Sequence, residues 1–276
     1  MLPTVCDLEE PYRRFMEPAY RIAIEAGGLI LEVYDDDHQV SYKDDRSPIT
    51  RADRASHHHI TQALQASFPD IPVLSEEAEL PDFQVRRDYS RFWLIDPLDG
   101  TREFVNRNDE FTVNIALIEG TRAVLGVVHV PVSGQTFFGA AGQGAWLAER
   151  DGTARRLACV RPTSERALRI GVSRSHPDPR LTEFLNHLDA PQSVPLGSSL
   201  KFCRIAEGQV DLYPRMHPLR EWDVAAAQVI TEEAGGVVWD WQARPLTYNK
   251  EVMKHDGGFL AAAGSGLAER ILAGSR

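Results

Sequence analysis

The chain has 276 residues, of which 43% are hydrophobic and 25% are charged, a composition typical of globular proteins that bury a substantial core. Its formal net charge of −10 argues against a broad basic face for nucleic acid, so an anionic ligand would need a bound cation or a few well-placed lysines and arginines. The three cysteines are odd in number and widely spaced, which argues against a disulfide framework and a zinc site.

Two helices and a series of strands are predicted in the first half of the chain. Apolar residues at helical spacing indicate the helices, and the second ends before Pro69 because the residue before a proline disfavours helical backbone. Short β-rich runs separated by turns indicate the strands. The predicted elements are helices at 17–34 and 53–67 and strands at 73–74, 92–95, 111–117, 123–130, 136–140 and 145–147.

The second half mixes both kinds of element. A polar segment at 151–164 separates it from the first half, and Gly235-Gly236 is a typical helix end. The predicted elements are strands at 168–172, 210–213, 237–241 and 259–262 and helices at 179–188, 199–207 and 224–234. Helices mixed with antiparallel strands predict an α+β fold rather than a doubly wound parallel sheet.

Acidic residues stand where several of these elements begin or end. Asp96 and Asp99 follow a strand, and Pro97 between them forces a bend that can turn both carboxylates and the Leu98 carbonyl toward one point. Glu76 follows another strand. Mg²⁺ prefers such oxygen ligands, and two metal ions can hold the attacking and leaving oxygens of a displacement at phosphorus.

A further aspartate, Asp223, opens a predicted helix. Taken alone it could be an ordinary helix N-cap, and Glu76 and Glu77 could be solvated surface residues. The combination of two strand ends and a helix start favours a metal site over these separate explanations.

Neighbouring residues suggest a place for a phosphorylated substrate. Gly100 permits close backbone approach, and the Thr101 hydroxyl could orient water. Ser198 and Ser199 precede a helix, whose N-terminal amides can bind an anion, and Lys201 follows. An ordinary serine cap is the competing interpretation. His176, Arg174 and Arg215 are further candidates for phosphate or base contacts.

These motifs resemble a known family. The run Asp96-Pro97-Leu98-Asp99-Gly100-Thr101, with Trp222-Asp223-Val224-Ala225 and Glu76-Glu77, resembles the signature of the inositol monophosphatase-like superfamily of Mg²⁺-dependent, lithium-sensitive phosphatases. The runs at 96–117 and 197–203 are most similar to its CysQ branch, the 3'(2'),5'-bisphosphate nucleotidases. The resemblance extends over about residues 23–262.

The resemblance implies a layered α/β/α/β/α sugar-phosphatase fold in a single domain, with a metal-binding lobe at about 1–155 and a substrate lobe at about 156–276. It implies two or three Mg²⁺ ions per site. The implied metal ligands are Glu76, Asp96, Leu98, Asp99 and Asp223. The implied catalytic residues are Asp53, Thr101 and Glu76, with Thr101 and Asp53 as the pair that activates water. The implied substrate-binding residues are Gly100, Thr101, Ser198, Ser199, Lys201, His176, Arg215 and Asp223.

The implied reaction is hydrolysis of adenosine 3',5'-bisphosphate to AMP and phosphate, with 3'-phosphoadenylyl sulfate as a further substrate. One alternative is a phosphatase of the same superfamily that acts on inositol phosphate, histidinol phosphate or fructose bisphosphate. Another is a non-catalytic metal- or nucleotide-binding protein. The chain departs from the branch pattern at Arg102, Ala227 and Leu219-Arg220-Glu221, the last beside the expected substrate cleft.

The first ten residues lack a basic segment followed by an apolar core, and no apolar run approaches the ~20 residues of a membrane span. We therefore expect a cytoplasmic protein without a transmembrane segment. The resemblance adds peripheral association with the cytoplasmic side of the inner membrane. The expected partners are a small phosphorylated nucleotide and a second copy in a homodimer, and not a nucleic acid.

Overall fold

The computed structural model describes residues 8–35, 40–42, 48–163 and 166–274. Its helices are α1 (Arg13–Asp35), α2 (Arg51–Ser67), α3 (Phe83–Arg86), α4 (Thr101–Val105), α5 (Pro179–Asn186), α6 (Leu200–Ala206), α7 (Ala225–Glu233) and α8 (Ser265–Gly274). Its strands are β1 (Val40–Tyr42), β2 (Pro48–Thr50), β3 (Val73–Ser75), β4 (Arg91–Asp99), β5 (Thr112–Glu119), β6 (Arg122–Val130), β7 (Gln135–Ala140), β8 (Gly144–Ala148), β9 (Ala154–Arg156), β10 (Arg169–Ser173), β11 (Gln192–Leu196), β12 (Leu212–Arg215), β13 (Leu219–Arg220), β14 (Val237–Trp239), β15 (Lys254–His255) and β16 (Phe259–Ala262).

Two large sheets organise the chain. The first has seven strands in the order β3-β4-β5-β6-β7-β8-β9 and is antiparallel except for the β3-β4 pair. The second has five strands in the order β11-β10-β12-β16-β14, with β10 parallel to both of its neighbours. The pairs β1-β2 and β13-β15 form two small sheets. The predicted α+β class is confirmed.

Helices fill the spaces on both sides of each sheet. Apolar residues of α1 and α2 pack on one face of the seven-stranded sheet, and those of α6 and α7 fill the space between the two sheets. Helix α8 and the partly buried apolar residues of α5 cover the outer face of the five-stranded sheet. This arrangement is the predicted α/β/α/β/α layering.

Helix α7 is buried on nearly every side because sheets cover it from two directions. Its alanines allow the sheet to approach closely. A Cβ atom added to Gly126 in β6 would lie only 2.1 Å from the Ala226 carbonyl oxygen. Close contact between β6 and α7 therefore fixes where the start of α7 lies relative to the first sheet.

The sequence predicted most large elements, with errors at their ends. The strand predicted at 237–241 ends at Trp239, because the Asp240 carboxylate turns the chain by accepting hydrogen bonds from the Gln242 and Arg244 amides. Helix α8 was not predicted, although its buried residues Leu267 and Ile271 have helical spacing. The short elements α3, α4, β1, β2, β9, β11, β13 and β15 were also not predicted.

The seven-stranded sheet ends at Arg156 and the five-stranded sheet begins at Arg169. The division into a metal-binding lobe and a substrate lobe stays a prediction. Within the described ranges, no helix is both long and apolar enough to cross a membrane.

Two adjacent glycines in α1 offer a test of the packing of this helix on the sheet. Gly28 is exposed with open space around it, whereas a Cβ atom on Gly27 would lie 2.5 Å from His129 Cδ2. The His129 ring cannot move aside freely, because it is buried and its Nδ1 atom pairs with Thr136 Oγ1 at 2.8 Å.

We expect Gly28→Ala to raise the free energy of unfolding by about 0.5–1 kcal/mol, because alanine favours a helix over glycine. Gly27→Ala should lower it by about 1–3 kcal/mol through overpacking, despite the same gain in helix propensity. Urea unfolding of both variants measures the difference. Equal changes in the free energy of unfolding for the two variants would contradict the close contact between Gly27 and His129.

Candidate active site

Three carboxylates from distant parts of the sequence converge at one end of the seven-stranded sheet. One carboxylate oxygen each from Glu76, Asp96 and Asp223 lies within 4.8 Å of the others. Strands β3 and β4 are parallel neighbours, and the Glu76 amide donates to the Ile95 carbonyl at 3.3 Å, which brings Glu76 beside Asp96. Asp223 arrives from the segment before α7. The predicted convergence of distant acidic residues is confirmed.

The bend predicted at Pro97 is an irregularity in the pairing of β4 with β5. Asp96 pairs with Asn114 and Asp99 with Thr112, so Pro97 and Leu98 of β4 lie opposite Val113 alone. The Leu98 amide donates to Asp96 Oδ1 at 3.1 Å, which holds the bend closed. The role of the Leu98 carbonyl as a metal ligand stays a prediction.

Gly100 ends the bend in a left-handed conformation, with φ of 90°, which suits glycine. Helix α4 begins at the next residue, Thr101. The aspartates of the bend and the Thr101 hydroxyl are therefore only a few residues apart along a tightly turned segment.

Helix α2 holds both acidic turns in place. The Ser56 hydroxyl donates to the Pro97 carbonyl at 2.7 Å, and His57 Nδ1 pairs with the Ser75 hydroxyl at 2.8 Å. The same Ser75 oxygen accepts a hydrogen bond from the Glu77 amide at 3.3 Å. Asp53 lies one turn before Ser56 and is 3% exposed. It therefore lies on the face of α2 that meets the site.

The acidic residues strongly affect one another. The pKa of Asp96 is raised well above its ordinary value, first by burial and then by the negative charges of Glu76, Asp99, Asp223 and Asp53. Burial, Asp99 and Glu76 likewise raise the pKa of Asp223. Buried carboxylates that repel each other are stabilised by a bound cation, and an all-oxygen donor set suits Mg²⁺. The residues present therefore fit a divalent metal ion.

Asp99 lies outside the group of three and connects it to the other half of the chain. Its Oδ2 atom accepts hydrogen bonds from the Ser199 amide at 2.6 Å and from Asn114 Nδ2 at 3.4 Å. Burial raises its pKa to about 6, and the positive charge of Lys201 opposes that rise. Ser199 Oγ also donates to Asn114 Oδ1 at 2.8 Å and pairs with Thr112 Oγ1 at 2.9 Å. This buried polar network ties β5 to the start of α6.

The predicted substrate residues line one cavity of about 290 Å³ next to the acidic group. The predicted residues along its wall are Asp99, Gly100, Thr101, His176, Ser198, Ser199, Lys201, Arg215 and Asp223. Arg174 is paired instead with Glu110, with Nε 2.7 Å from Oε2. The wall also contains Glu103 and Tyr213, which the sequence analysis did not select.

Lys201 is a buried cation in this wall. Its Nζ atom donates to the Ser198 carbonyl at 2.6 Å and the Leu196 carbonyl at 3.2 Å, and lies 5.3 Å from the centre of the Tyr213 ring. Burial lowers its pKa to about 8, which keeps it mostly charged at neutral pH. It forms no salt bridge within the described part of the chain. It is therefore available to an anion in the cavity.

The capping explanations of two residues are wrong. The N-cap of α7 is Val224, and Asp223 Oδ2 instead accepts from the Arg220 amide at 3.0 Å. Ser199 is the N-cap of α6 by position, but its side chain makes no capping hydrogen bond. Ser198 has a left-handed backbone, with φ of 43°, and its buried hydroxyl has no hydrogen-bond partner among the described residues.

The buried residue Glu221 anchors the loop that carries Asp223. In the sequence it stood out only as a departure from the branch pattern. Glu221 accepts hydrogen bonds from the Asn249 amide at 2.7 Å and the Lys250 amide at 3.1 Å. Burial raises its pKa to about 7. Arg86 Nη1 donates to Asn249 Oδ1 at 2.9 Å and extends the anchor to α3. In the sequence, an acidic residue next to Trp222 was the only signal.

The chain is similar to phosphatases along most of its length. The model of the inositol monophosphatase family matches residues 12–275. The 3'(2'),5'-bisphosphate nucleotidase CysQ of Salmonella typhimurium is 46% identical over 235 residues, which cover 84% of this chain and 93% of that protein. The protein of the same name from Buchnera aphidicola is 38% identical over 256 residues, which cover 91% of this chain and 95% of that protein.

Solved structures of similar phosphatases also match this chain along most of its length. The crystal structure of CysQ from Bacteroides thetaiotaomicron has a TM-score of 0.81 and 34% identity, and the match covers 93% of this chain and all of that chain. An inositol monophosphatase from Anabaena has a TM-score of 0.73 and 30% identity over 95% of this chain and 94% of that chain. The family match includes every residue of the acidic group.

The stability of the metal-free protein tests these electrostatics. A pKa of about 6 for Asp99, against an ordinary 3.8, means that the folded protein binds this proton more tightly than the unfolded chain. The resulting stabilisation is complete below pH ~4 and is lost as the pH rises through about 6. The asparagine side chain of an Asp99→Asn variant does not titrate.

We therefore expect the unfolding free energy of the wild type, minus that of Asp99→Asn, to fall by on the order of 2 kcal/mol from pH 4 to pH 7 in chelator. Asp151→Asn is the control, because hydrogen bonds from Thr153 lower the pKa of that exposed aspartate. The unfolding free energy of the wild type, minus that of Asp151→Asn, should not fall between pH 4 and pH 7. A flat profile for Asp99 would contradict its raised pKa.

Proposed function

Because this chain belongs to the inositol monophosphatase family, we propose that it is a Mg²⁺-dependent 3'(2'),5'-bisphosphate nucleotidase. It hydrolyses adenosine 3',5'-bisphosphate to AMP and phosphate, and so removes a by-product of sulfate assimilation. The observation that carries the proposal is the 46% identity to a nucleotidase of this name over 93% of that protein's length. The family and branch predicted from the motifs are confirmed.

The charges of the cavity suit a substrate with a phosphate group at each end. One side carries the acidic group, which would face the reacting phosphate through bound metal ions. The cavity wall also contains the cations Lys201 and Arg215. These cations, together with the Ser198 hydroxyl, bind the phosphate that does not react, and His176 lies on the side of the base. The predicted role of Ser199 changes to a positioning one, because its amide and its hydroxyl already donate to Asp99 and Asn114. A nucleoside bisphosphate can bridge these two regions, whereas a small monophosphate would use only one.

Members of this family are metal-dependent, and the acidic group provides the ligands. Glu76, Asp96 and Asp223 would hold Mg²⁺, and Asp99 and the Leu98 carbonyl would complete two or three ion sites. When bound, Mg²⁺ supplies positive charge that makes nearby water more acidic and offsets the negative charge of the phosphate.

The protein side chains orient water and accept its proton. The Thr101 hydroxyl, at the first turn of α4, accepts a proton from water and donates its own to Asp53, while Glu76 holds the water from the other side. The water oxygen forms a bond to phosphorus as the bond between phosphorus and the ribose 3' oxygen breaks. The leaving oxygen takes a proton from solvent, which yields AMP and inorganic phosphate. Gly100 allows the phosphate to approach the backbone.

The homodimer, the cytoplasmic location and the peripheral association with the inner membrane stay predictions. They do not enter this mechanism, because all of its proposed residues come from one chain.

Phosphate release from adenosine 3',5'-bisphosphate and from inositol 1-phosphate, with Mg²⁺ and with added Li⁺, tests the proposal. We expect kcat/KM to be at least about 10-fold higher for the nucleotide, because only the nucleotide pairs a second phosphate with Lys201. Li⁺ should lower the rate. Asp99→Asn is the control for metal-dependent turnover and should be inactive.

Activity confined to compounds without adenine would favour another phosphatase of the superfamily. Tight nucleotide binding without phosphate release would favour a non-catalytic binding protein. Either result would overturn the proposed function.

Lys201→Ala tests the proposed role of the buried cation. We expect it to lower kcat/KM about 10- to 100-fold for adenosine 3',5'-bisphosphate, through loss of a charge-assisted hydrogen bond. For adenosine 3'-monophosphate, which lacks the second phosphate, the change should be within about 3-fold. Lys250→Ala, at a partly buried lysine outside the cavity, is the matched control and should not separate the two substrates. Equal losses on both substrates in Lys201→Ala would remove this residue from substrate selection.

A further inference from the structure

A buried carboxylate in the cavity wall has no role in the mechanism above. Glu103 in α4 lines the cavity and is only 3% exposed. Its carboxylate forms no hydrogen bond or ion pair with any described residue, and its oxygens are open to the cavity. A carboxylate that lines a cavity and has no donor from the protein can accept a hydrogen bond from a ligand bound there.

The nearby Glu110 shows what a satisfied carboxylate looks like in the same region. Its oxygens accept hydrogen bonds at 2.7 Å from Arg174 and from the Gly197 amide. No such partners surround the Glu103 carboxylate among the residues that the structure describes. The Glu110 carboxylate therefore has protein partners and the Glu103 carboxylate has none among the described residues, although the two residues carry the same charge and lie close together.

Two glycines make room for Glu103 beside the metal-binding bend. A Cβ atom on Gly197 would lie 2.5 Å from Glu103 Cγ, and one on Gly100 would lie 3.3 Å from Glu103 Oε2. The carboxylate thus lies against the residue that directly follows Asp99. Its negative charge also raises the pKa of Asp99, which agrees with this short separation.

The chemistry of the carboxylate limits what it can bind. Apart from binding cations, a carboxylate only accepts hydrogen bonds, and it repels phosphate oxygens, so the part of the nucleotide that it contacts is a neutral donor. Adenosine 3',5'-bisphosphate offers a ribose 2'-hydroxyl and an adenine amino group. The 2'-hydroxyl is on the carbon next to the one that carries the reacting phosphate. It therefore lies on the same side of the substrate as the bend at Asp99 and Gly100.

We propose that Glu103 accepts a hydrogen bond from the ribose hydroxyl next to the reacting phosphate and so selects ribonucleotides over 2'-deoxyribonucleotides. This inference rests on the proposed function and specifies the substrate class of the same site. A 2'-phosphate isomer offers its 3'-hydroxyl in the equivalent position, so the same carboxylate serves either isomer.

The test compares kcat/KM for adenosine 3',5'-bisphosphate and 2'-deoxyadenosine 3',5'-bisphosphate. We expect the wild type to favour the ribonucleotide about 10- to 100-fold, because the deoxy compound leaves the buried carboxylate without a donor. Glu103→Ala should reduce that ratio to within about 3-fold of unity, mainly by losing activity on the ribonucleotide. Glu103→Gln keeps one acceptor oxygen without the charge and should give an intermediate ratio.

Glu110→Gln is the matched control. It removes a carboxylate charge from the same region, but that carboxylate already has protein partners, so both substrates should change in the same proportion. Circular dichroism and thermal unfolding check that each variant is folded. The ratio of kcat/KM values for the two nucleotides is also measured with the wild type, and that result does not depend on the folding of any variant.

Equal turnover of the two nucleotides by the wild type would overturn this inference alone. A ratio unchanged in both folded Glu103 variants would do the same. Failure of the wild type to hydrolyse either nucleotide would overturn the proposed function, and this inference with it.

Discussion

Repulsion among closely spaced carboxylates is the constraint on which the rest of the site depends. Glu76, Asp96 and Asp223 lie close enough for one ion to contact all three, and burial makes the charges of Asp96 and Asp223 costly. The folding of the chain elsewhere must therefore offset the cost of this arrangement. A divalent cation reverses the sign of the interaction, because the charges that repel each other in its absence all attract it.

The fold holds these residues in place from several directions. Helix α2 binds the bend at Pro97 through Ser56 and the turn at Ser75 through His57. Glu221 fixes the loop of Asp223 against the backbone at Asn249. These three anchors involve residues next to or near the acidic residues, and not the carboxylates of Glu76, Asp96 and Asp223 themselves. The carboxylates are thus positioned, and one oxygen of each lies within 4.8 Å of the others, close enough for a shared metal ion.

The cavity combines opposite charges over a short distance, and this polarity explains how an acidic protein can take a doubly phosphorylated substrate. The net charge of −10 would repel such an anion in general. Lys201 counters it locally, as a buried cation held by two carbonyl oxygens beside an aromatic ring. Asp99 lies between the two regions and is bound through its Oδ2 atom to the amide at the start of α6. The same residue thereby couples the metal side of the cavity to its substrate side.

The sequence by itself determined the α+β class, most of the long helices and strands, and the acidic residues at their ends. It could do so because hydrophobic periodicity and the run from Asp96 to Thr101 are local patterns. Only the tertiary structure showed that Asp223 is not a cap and that the Ser199 side chain makes no capping hydrogen bond. It also showed that Ser56 and Glu221 act as anchors and that the Glu103 carboxylate has no partner among the described residues. These properties depend on contacts between residues far apart in the chain, and a carboxylate has the same letter in the sequence whether or not a donor reaches it.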